Sequence, residues 1–252
     1  MLKCNQIDSY SKEGKIMTKE EFLKTIKGQL IVSCQAVKGE PLYVEEKSIM
    51  YLMARAAKLA GTPAIRTSSV RDVVAIKEET GLPVIGLIKR QYEGFDSYIT
   101  TTMKEVDELV EAKSDVIALD CCNSKRGDGK TISEFMKEVR TKYPQAILMA
   151  DISTFEEAKN AQDLGFDLVS TTMSGYTKHT ADKDKTKPDF ELLEKCVKEL
   201  NVPVICEGRI HTPEMAVEAL KKGAYAVVVG GAITRPLEIA QRFIAAVNKY
   251  HE

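Results

Sequence analysis

Short apolar runs alternate along this chain with longer segments whose apolar positions recur at helical spacing. The runs are LIVSCQA from Leu30, PAIRTS from Pro63, PVIGLIK from Pro83, VIALDCC from Val116, AILMADI from Ala146, LVSTTMS from Leu168, PVICEG from Pro203 and AVVVGGAI from Ala226. Each is nearly continuous in Val, Ile, Leu and Ala, the pattern of strands buried on both faces, whereas a half-exposed antiparallel strand alternates. The amphipathic segments between them supply the crossovers that parallel strands need. The pattern predicts an α/β fold, a single (β/α)8 barrel with a short amino-terminal extension.

Local chemistry marks the same boundaries. Pro63, Pro83 and Pro203 open strands and Pro144 stands just ahead of another, where a missing ladder donor is tolerated. Thr102 with Glu105, Thr131 with Glu134, Ser153 with Glu156, and Thr212 before Pro213 read as helix starts. AAKLAG, AQDLGFD and ALKKGAYA end helices at Gly61, Gly165 and Gly223, each fit for a left-handed terminus. An open doubly wound sheet would carry G-x-G-x-x-G after its first strand, and CQAVKGEP does not. The polar stretch from Lys178 to Asp189 reads as a loop over the carboxyl ends of the strands. Residues 1–17 read as a disordered lead, although MTKEEFLKTI from Met17 has helical character, and 18–252 as the catalytic barrel.

Composition narrows the functions open to such a fold. The 252 residues match the roughly 250 of one such barrel. Lys and Arg total 36 against 37 Asp and Glu, and Trp is absent, which argues against a polyanionic partner such as nucleic acid. The longest apolar run, near Ala226 to Ile233, is far short of the roughly 18 residues of a membrane span. The polar amino terminus lacks a secretory signal, and the cysteines form no C-x-x-C, so a cytoplasmic protein with reduced thiols is expected.

Barrel enzymes work at the carboxyl ends of their strands, so the polar residues there carry the chemistry. In chain order they are Gln35, Arg66, Lys89 with Arg90, Asp120, Asp151, Ser170 with Thr171 and Thr172, Glu207, and Gly230 with Gly231. Gly208, Arg209, Gly230 and Gly231, with Arg235 ahead of Pro236, supply small residues, exposed amides and cations for a phosphate. Lys89 ends an apolar strand, where desolvation brings an amine toward the range of a base; Glu207 is placed to share a proton or simply to pair with a cation. Arg66 and Asp151 are expected to face the cavity and orient an open-chain sugar, or to pair with each other; Gln35 offers a donor and an acceptor. No histidine stands at a strand end, so a histidine metal site is not expected. These residues leave open a proton-transfer enzyme, a Schiff-base aldolase or lyase acting through the lysine, and a phosphosugar sensor without catalysis.

SCQA, AIR, GLIKR, ADIS, STTMSGYT, CEGRI and GGAITRP, in this order on successive strands, resemble the N-acetylmannosamine-6-phosphate 2-epimerase family. The resemblance runs from about Gly28 to the carboxyl terminus. It implies cofactor-independent interconversion of N-acetylmannosamine 6-phosphate and N-acetylglucosamine 6-phosphate by inversion at C2, in sialic acid and amino sugar catabolism. By the resemblance Lys89 is the acid/base and Glu207 its partner. Gln35, Arg66 and Asp151 then hold the sugar, and Gly208, Arg209, Gly230, Gly231 and Arg235 the phosphate. Related barrels pair, so a homodimer is expected, with no metal, nucleic acid or membrane partner.

Overall fold

A computed structural model describes residues 17–250; residues 1–16 of the lead expected over residues 1–17 lie outside them. Eight parallel strands close on themselves in sequence order: β1 Leu30–Cys34, β2 Ile65–Ser68, β3 Val84–Leu87, β4 Val116–Asp120, β5 Ile147–Asp151, β6 Leu168–Ser170, β7 Val204–Glu207 and β8 Ala226–Val229. β1 pairs with β8 through Leu30↔Val227 and Val32↔Val229, which leaves no strand edge exposed. The (β/α)8 architecture read from the apolar runs is the one observed. The sixth run is shorter than its letters suggested: β6 stops at Ser170 and Thr171–Met173 form a turn of 3₁₀ helix.

Helices follow the strands: α1 Lys19–Ile26 before β1, then α2 Met50–Leu59, α3 Val70–Thr80, α4 Met103–Glu111, α5 Ile132–Lys142, α6 Phe155–Asp163, α7 Phe190–Glu199, α8 Pro213–Lys221 and α9 Pro236–Tyr250. Thr102 with Glu105 and Thr131 with Glu134 make reciprocal caps, and Thr212 caps α8 with Pro213 in its first turn. The expected cap of α6 is displaced by one residue. Thr154 and Glu157 make it, because the Glu157 carboxylate collects the Thr154 amide together with the amide and hydroxyl of Ser153. Gly61, Gly165 and Gly223 follow their helices at φ 98°, 82° and 94°, the left-handed termination expected of them.

The core has two layers. Val32, Ile65, Leu119, Leu148, Val169 and Val227 point outward against the helices, while Ile31, Ile85, Ala118, Met149, Ile205 and Val228 fill the barrel. Phe22 and Ile26 of α1, both fully buried, join the inner layer, and the Tyr225 hydroxyl just before β8 donates to Leu23 O at 3.1 Å. Helix α1 therefore closes the amino-terminal mouth and leaves the carboxyl-terminal mouth open. Helix α9 differs from the rest: it has no buried residue.

Candidate active site

The open mouth is a cavity of about 660 Å³, within the usual range for a small-molecule site. Gln35, Arg66, Lys89, Glu207, Gly208, Arg209, Gly230, Gly231 and Arg235 all line it. They reach one space because parallel strands end at one face, in register from Ser33↔Arg66 through Asp151↔Ser170 to Glu207↔Val228. Asp151 behaves differently from the expectation that it faces the cavity. Fully buried, it does not line the space, and its carboxylate is taken up by Arg66.

Arg66 and Asp151 form two parallel hydrogen bonds, Nη1 to Oδ1 at 3.1 Å and Nη2 to Oδ2 at 2.6 Å. Arg66 Nε lies 3.2 Å from Glu207 Oε1, an ion-pair contact without hydrogen-bond alignment. Burial opposes the guanidinium charge, but the Asp151 and Glu207 carboxylates outweigh it and hold Arg66 protonated. Arg66 is thus a rigid cation fixed from behind by Asp151. Glu207 is pushed up to about 7, first by desolvation and then by the Asp151 charge, against the opposing pull of the Arg66 and Lys89 charges.

Lys89 stands two residues beyond β3, in an antiparallel bridge with Ile99. The chain leaves the barrel at Lys89, returns at Ile99, and is tied by Arg90 N to Tyr98 O at 2.9 Å and Thr100 N to Ile88 O at 2.8 Å. Arg90 points to Glu105 and Glu108, away from the chemistry. Among the described residues no carboxylate stands within ion-pair distance of the Lys89 ammonium. Desolvation, reinforced by the Arg235 and Arg66 charges, lowers its pKa against the weaker pull of Glu40 and Glu207. The lysine is a desolvated amine aimed into a cation-lined cavity.

The opposite wall is built for an anion. Gly208 and Arg209 take consecutive left-handed conformations, φ 105° and 56°, after β7. Arg209 is 9 % exposed, lies over the Tyr176 ring, and its Nε and Nη1 are buried with no hydrogen-bond partner. Unpaired guanidinium donors at that depth call for an acceptor from outside the protein. A Cβ on Gly230 would approach the Ser33 Cβ to 3.2 Å, so glycine lets β8 leave the barrel close to β1. Arg235 holds Glu40 at 3.1 Å and Glu238 at 2.8 Å. Gln35 donates to the Ser33 hydroxyl at 2.8 Å, while its Oε1 is buried without a donor. Asp120 accepts from the amides of Tyr98 and Cys122 and does not line the cavity.

Tyr98, Met173, Tyr176 and His211 also line it, and none of them was proposed as a site residue from the sequence. Tyr98 arrives only because the segment after Lys89 folds back, a return that no periodicity announces. Among the described residues no group of three or more His, Cys, Asp or Glu side chains is placed to hold a metal ion, and no helix is long and apolar enough to cross a membrane.

A closed barrel with an anion cradle and a desolvated lysine at one mouth defines a phosphosugar-type barrel site equipped for proton transfer. Comparison with known proteins makes the class particular. The family model described as "Putative N-acetylmannosamine-6-phosphate epimerase" matches residues 50–249, and the chain belongs to that family of carbohydrate isomerases. A relative from Caldanaerobacter subterraneus subsp. tengcongensis, named "Putative N-acetylmannosamine-6-phosphate 2-epimerase", is 51% identical over 229 residues, covering 91% of this chain and 95% of its own. One of the same name from Clostridium perfringens is 52% identical over 222 residues, covering 88% and 98%. The solved N-acetylmannosamine-6-phosphate 2-epimerase from Clostridium perfringens superposes with a TM-score of 0.84 at 47% identity, over 96% of this chain and all of that one.

Proposed function

We propose that this chain interconverts N-acetylmannosamine 6-phosphate and N-acetylglucosamine 6-phosphate, a step of sialic acid and amino sugar catabolism. The observation that carries the reading is the meeting, in one cavity, of a lysine of lowered pKa with an unpaired buried arginine on a glycine-lined cradle. In the open-chain sugar C2 lies next to the C1 aldehyde, so loss of its proton gives an enolate. Lys89, as the neutral amine, takes that proton and becomes an ammonium, while Arg66 and the protonated Glu207 stabilise the charge growing on the carbonyl oxygen. Return of a proton to the other face inverts C2. The C–H bond that breaks is re-formed, no electrons leave the sugar, and the chemistry calls for no cofactor.

Arg209 and the backbone of Gly208, Gly230 and Gly231 are suited to the phosphate, with Arg235 at its edge. Gln35 Oε1, an acceptor without a donor, suits a hydroxyl or amide N–H of the sugar. Asp151 serves by fixing Arg66. The exposed apolar stripe of α9, carried by Phe243, Ile244 and Val247, supports pairing of two copies. The free, buried thiols of Cys34, Cys121, Cys122, Cys196 and Cys206 support a reducing, cytoplasmic setting.

The test is incubation of the purified protein with N-acetylmannosamine 6-phosphate in D₂O. The expected product is the gluco epimer carrying solvent deuterium at C2. No product, or covalent labelling of Lys89 when borohydride is added with substrate, would replace proton transfer with Schiff-base chemistry or with simple binding.

A further inference from the structure

The hydroxyl of Thr172, in the turn after β6, stands between two carboxylates. Its Oγ1 lies 2.7 Å from Asp151 Oδ1, 3.1 Å from Glu207 Oε2 and 2.8 Å from the Ser170 hydroxyl. A threonine hydroxyl has one proton to donate, and an ionised carboxylate only accepts. With Asp151 and Glu207 both ionised, Thr172 therefore satisfies one of them and sets its lone pairs against the other. The Ser170 hydroxyl, 3.5 Å from Glu207 Oε2, is too distant to compensate fully. A single proton on Glu207 removes the conflict: Glu207 donates to Thr172, and Thr172 donates to Asp151.

We propose that Thr172 is a positioning residue that passes a hydrogen bond from protonated Glu207 to the Asp151 carboxylate, and so holds Glu207 as the proton donor of the resting site. The inference rests on the reading of Glu207 as the partner of Lys89 given above. Arg66 from β2 and Lys89 after β3 face Glu207 and favour its ionised form, as Thr172 would if its proton went to Glu207; the shorter contact, 2.7 Å to Asp151 against 3.1 Å to Glu207, commits that proton to Asp151, while Asp151 from β5 and burial favour the acid, with Ser170 neutral beside them. These influences leave Glu207 near 7, where one hydrogen bond decides the form present at neutral pH.

The assignment fits the chemistry. As Lys89 removes the C2 proton, Glu207 gives its own proton to the carbonyl oxygen, so that a neutral enediol forms in place of a buried enolate. Glu207 is left ionised and takes the proton back when C2 is reprotonated. Thr172 follows by turning its hydroxyl, without losing a proton. A threonine that merely filled space would be indifferent to the protonation of its neighbour.

The test is a pH titration of the protonated-carboxyl C=O stretch by infrared difference spectroscopy, with the Glu207 band assigned by its loss in Glu207→Gln. In Thr172→Val, which keeps the shape and removes the hydroxyl, the acid loses two hydrogen bonds and the ionised form one. The midpoint is expected to fall by about one pH unit, with kcat about tenfold lower and KM within about twofold. Thr172→Ser is expected to restore both. An unmoved or raised midpoint in Thr172→Val, or no recovery in Thr172→Ser, would overturn the proposal, and Thr172→Ala gives the same reading if the valine does not fold. Should the midpoint fall as expected while the wild-type protein exchanges no deuterium into N-acetylmannosamine 6-phosphate, the relay stands and the epimerase reading fails.

Discussion

Lys89 and Glu207 show how one cavity moves two ordinary side chains toward neutrality from opposite directions. Replacing Lys89 by Met keeps the apolar stem and removes the amine. We expect kcat about a thousandfold lower, with calorimetry showing substrate still bound through the Arg209 cradle. Glu207 has a measurable consequence for stability. Its pKa in the fold, about 7, lies above the ordinary 4.5, so between those values the folded state binds more protons than the unfolded one. Stability conferred by the neutral carboxyl is therefore complete below the ordinary value and is lost as pH rises through 7. Denaturation of wild type and Glu207→Gln from pH 4.5 to pH 8 should show the wild type losing ground by a few kcal/mol; parallel curves would place Glu207 ionised throughout. Arg209→Met should raise KM about fiftyfold and leave kcat nearly unchanged, because the phosphate contact proposed for it lies far from C2 and would be made equally before and during reaction. Strand-end position alone brought Gln35, Arg66, Lys89, Glu207 and Arg209 under suspicion. The role of Asp151 was left open between facing the cavity and pairing with Arg66, because whether a strand-end carboxylate faces solvent or grips an arginine from β2 depends on the reach of that arginine across the barrel.

At the scale of elements, the segment from Lys89 to Thr101 determines where the amine points. It is held by a buried cation. Arg126 is 1 % exposed and donates to Thr101 O at 2.8 Å, Thr100 O at 2.6 Å and Asp120 O at 2.5 Å, with its guanidinium 4.0 Å above the Phe135 ring. Thr100, at φ 47°, has a backbone that threonine adopts only under constraint, and those carbonyl contacts supply it. Arg126→Met should cost about 3 kcal/mol in denaturant unfolding and lower kcat, with hydrogen exchange accelerated at Tyr98 and Thr100; a normal exchange pattern there would free Lys89 from this support. Nothing in RGDGK marks Arg126 as internal, since glycine and charge around it read as a solvated turn. Helix boundaries were legible because capping chemistry is local. The misplacement at α6 arose because ISTF offers two hydroxyls in succession: the Glu157 carboxylate accepts from the Ser153 hydroxyl and the Thr154 amide, while the Thr154 hydroxyl accepts from Glu157 N.

At the scale of the whole molecule, the closed barrel follows from eight doubly buried strands and short crossovers, all of it written in periodicity. What periodicity does not state is which surface an amphipathic helix covers. Helix α9 carries Ala240, Phe243, Ile244 and Val247 at the spacing of one helical face, yet Phe243 is 71 % exposed and Ile244 and Val247 are each 58 % exposed. An apolar stripe of that length facing water supports the proposed pairing, because a second copy of the chain would offer the same stripe in return. The helix begins at Pro236, beside Arg235 and behind the Gly230–Gly231 turn, so seating it also steadies one wall of the cavity. Sedimentation equilibrium should give a dimer for the wild type and a monomer for Phe243→Glu with Ile244→Glu, because each charge would be carried into the apolar seam. The monomer should keep its fold, since α9 contributes no buried residue, and should show a raised KM through the loosened cradle. A wild-type protein that sediments as a monomer, or a double variant that stays dimeric, would assign the α9 stripe to another partner.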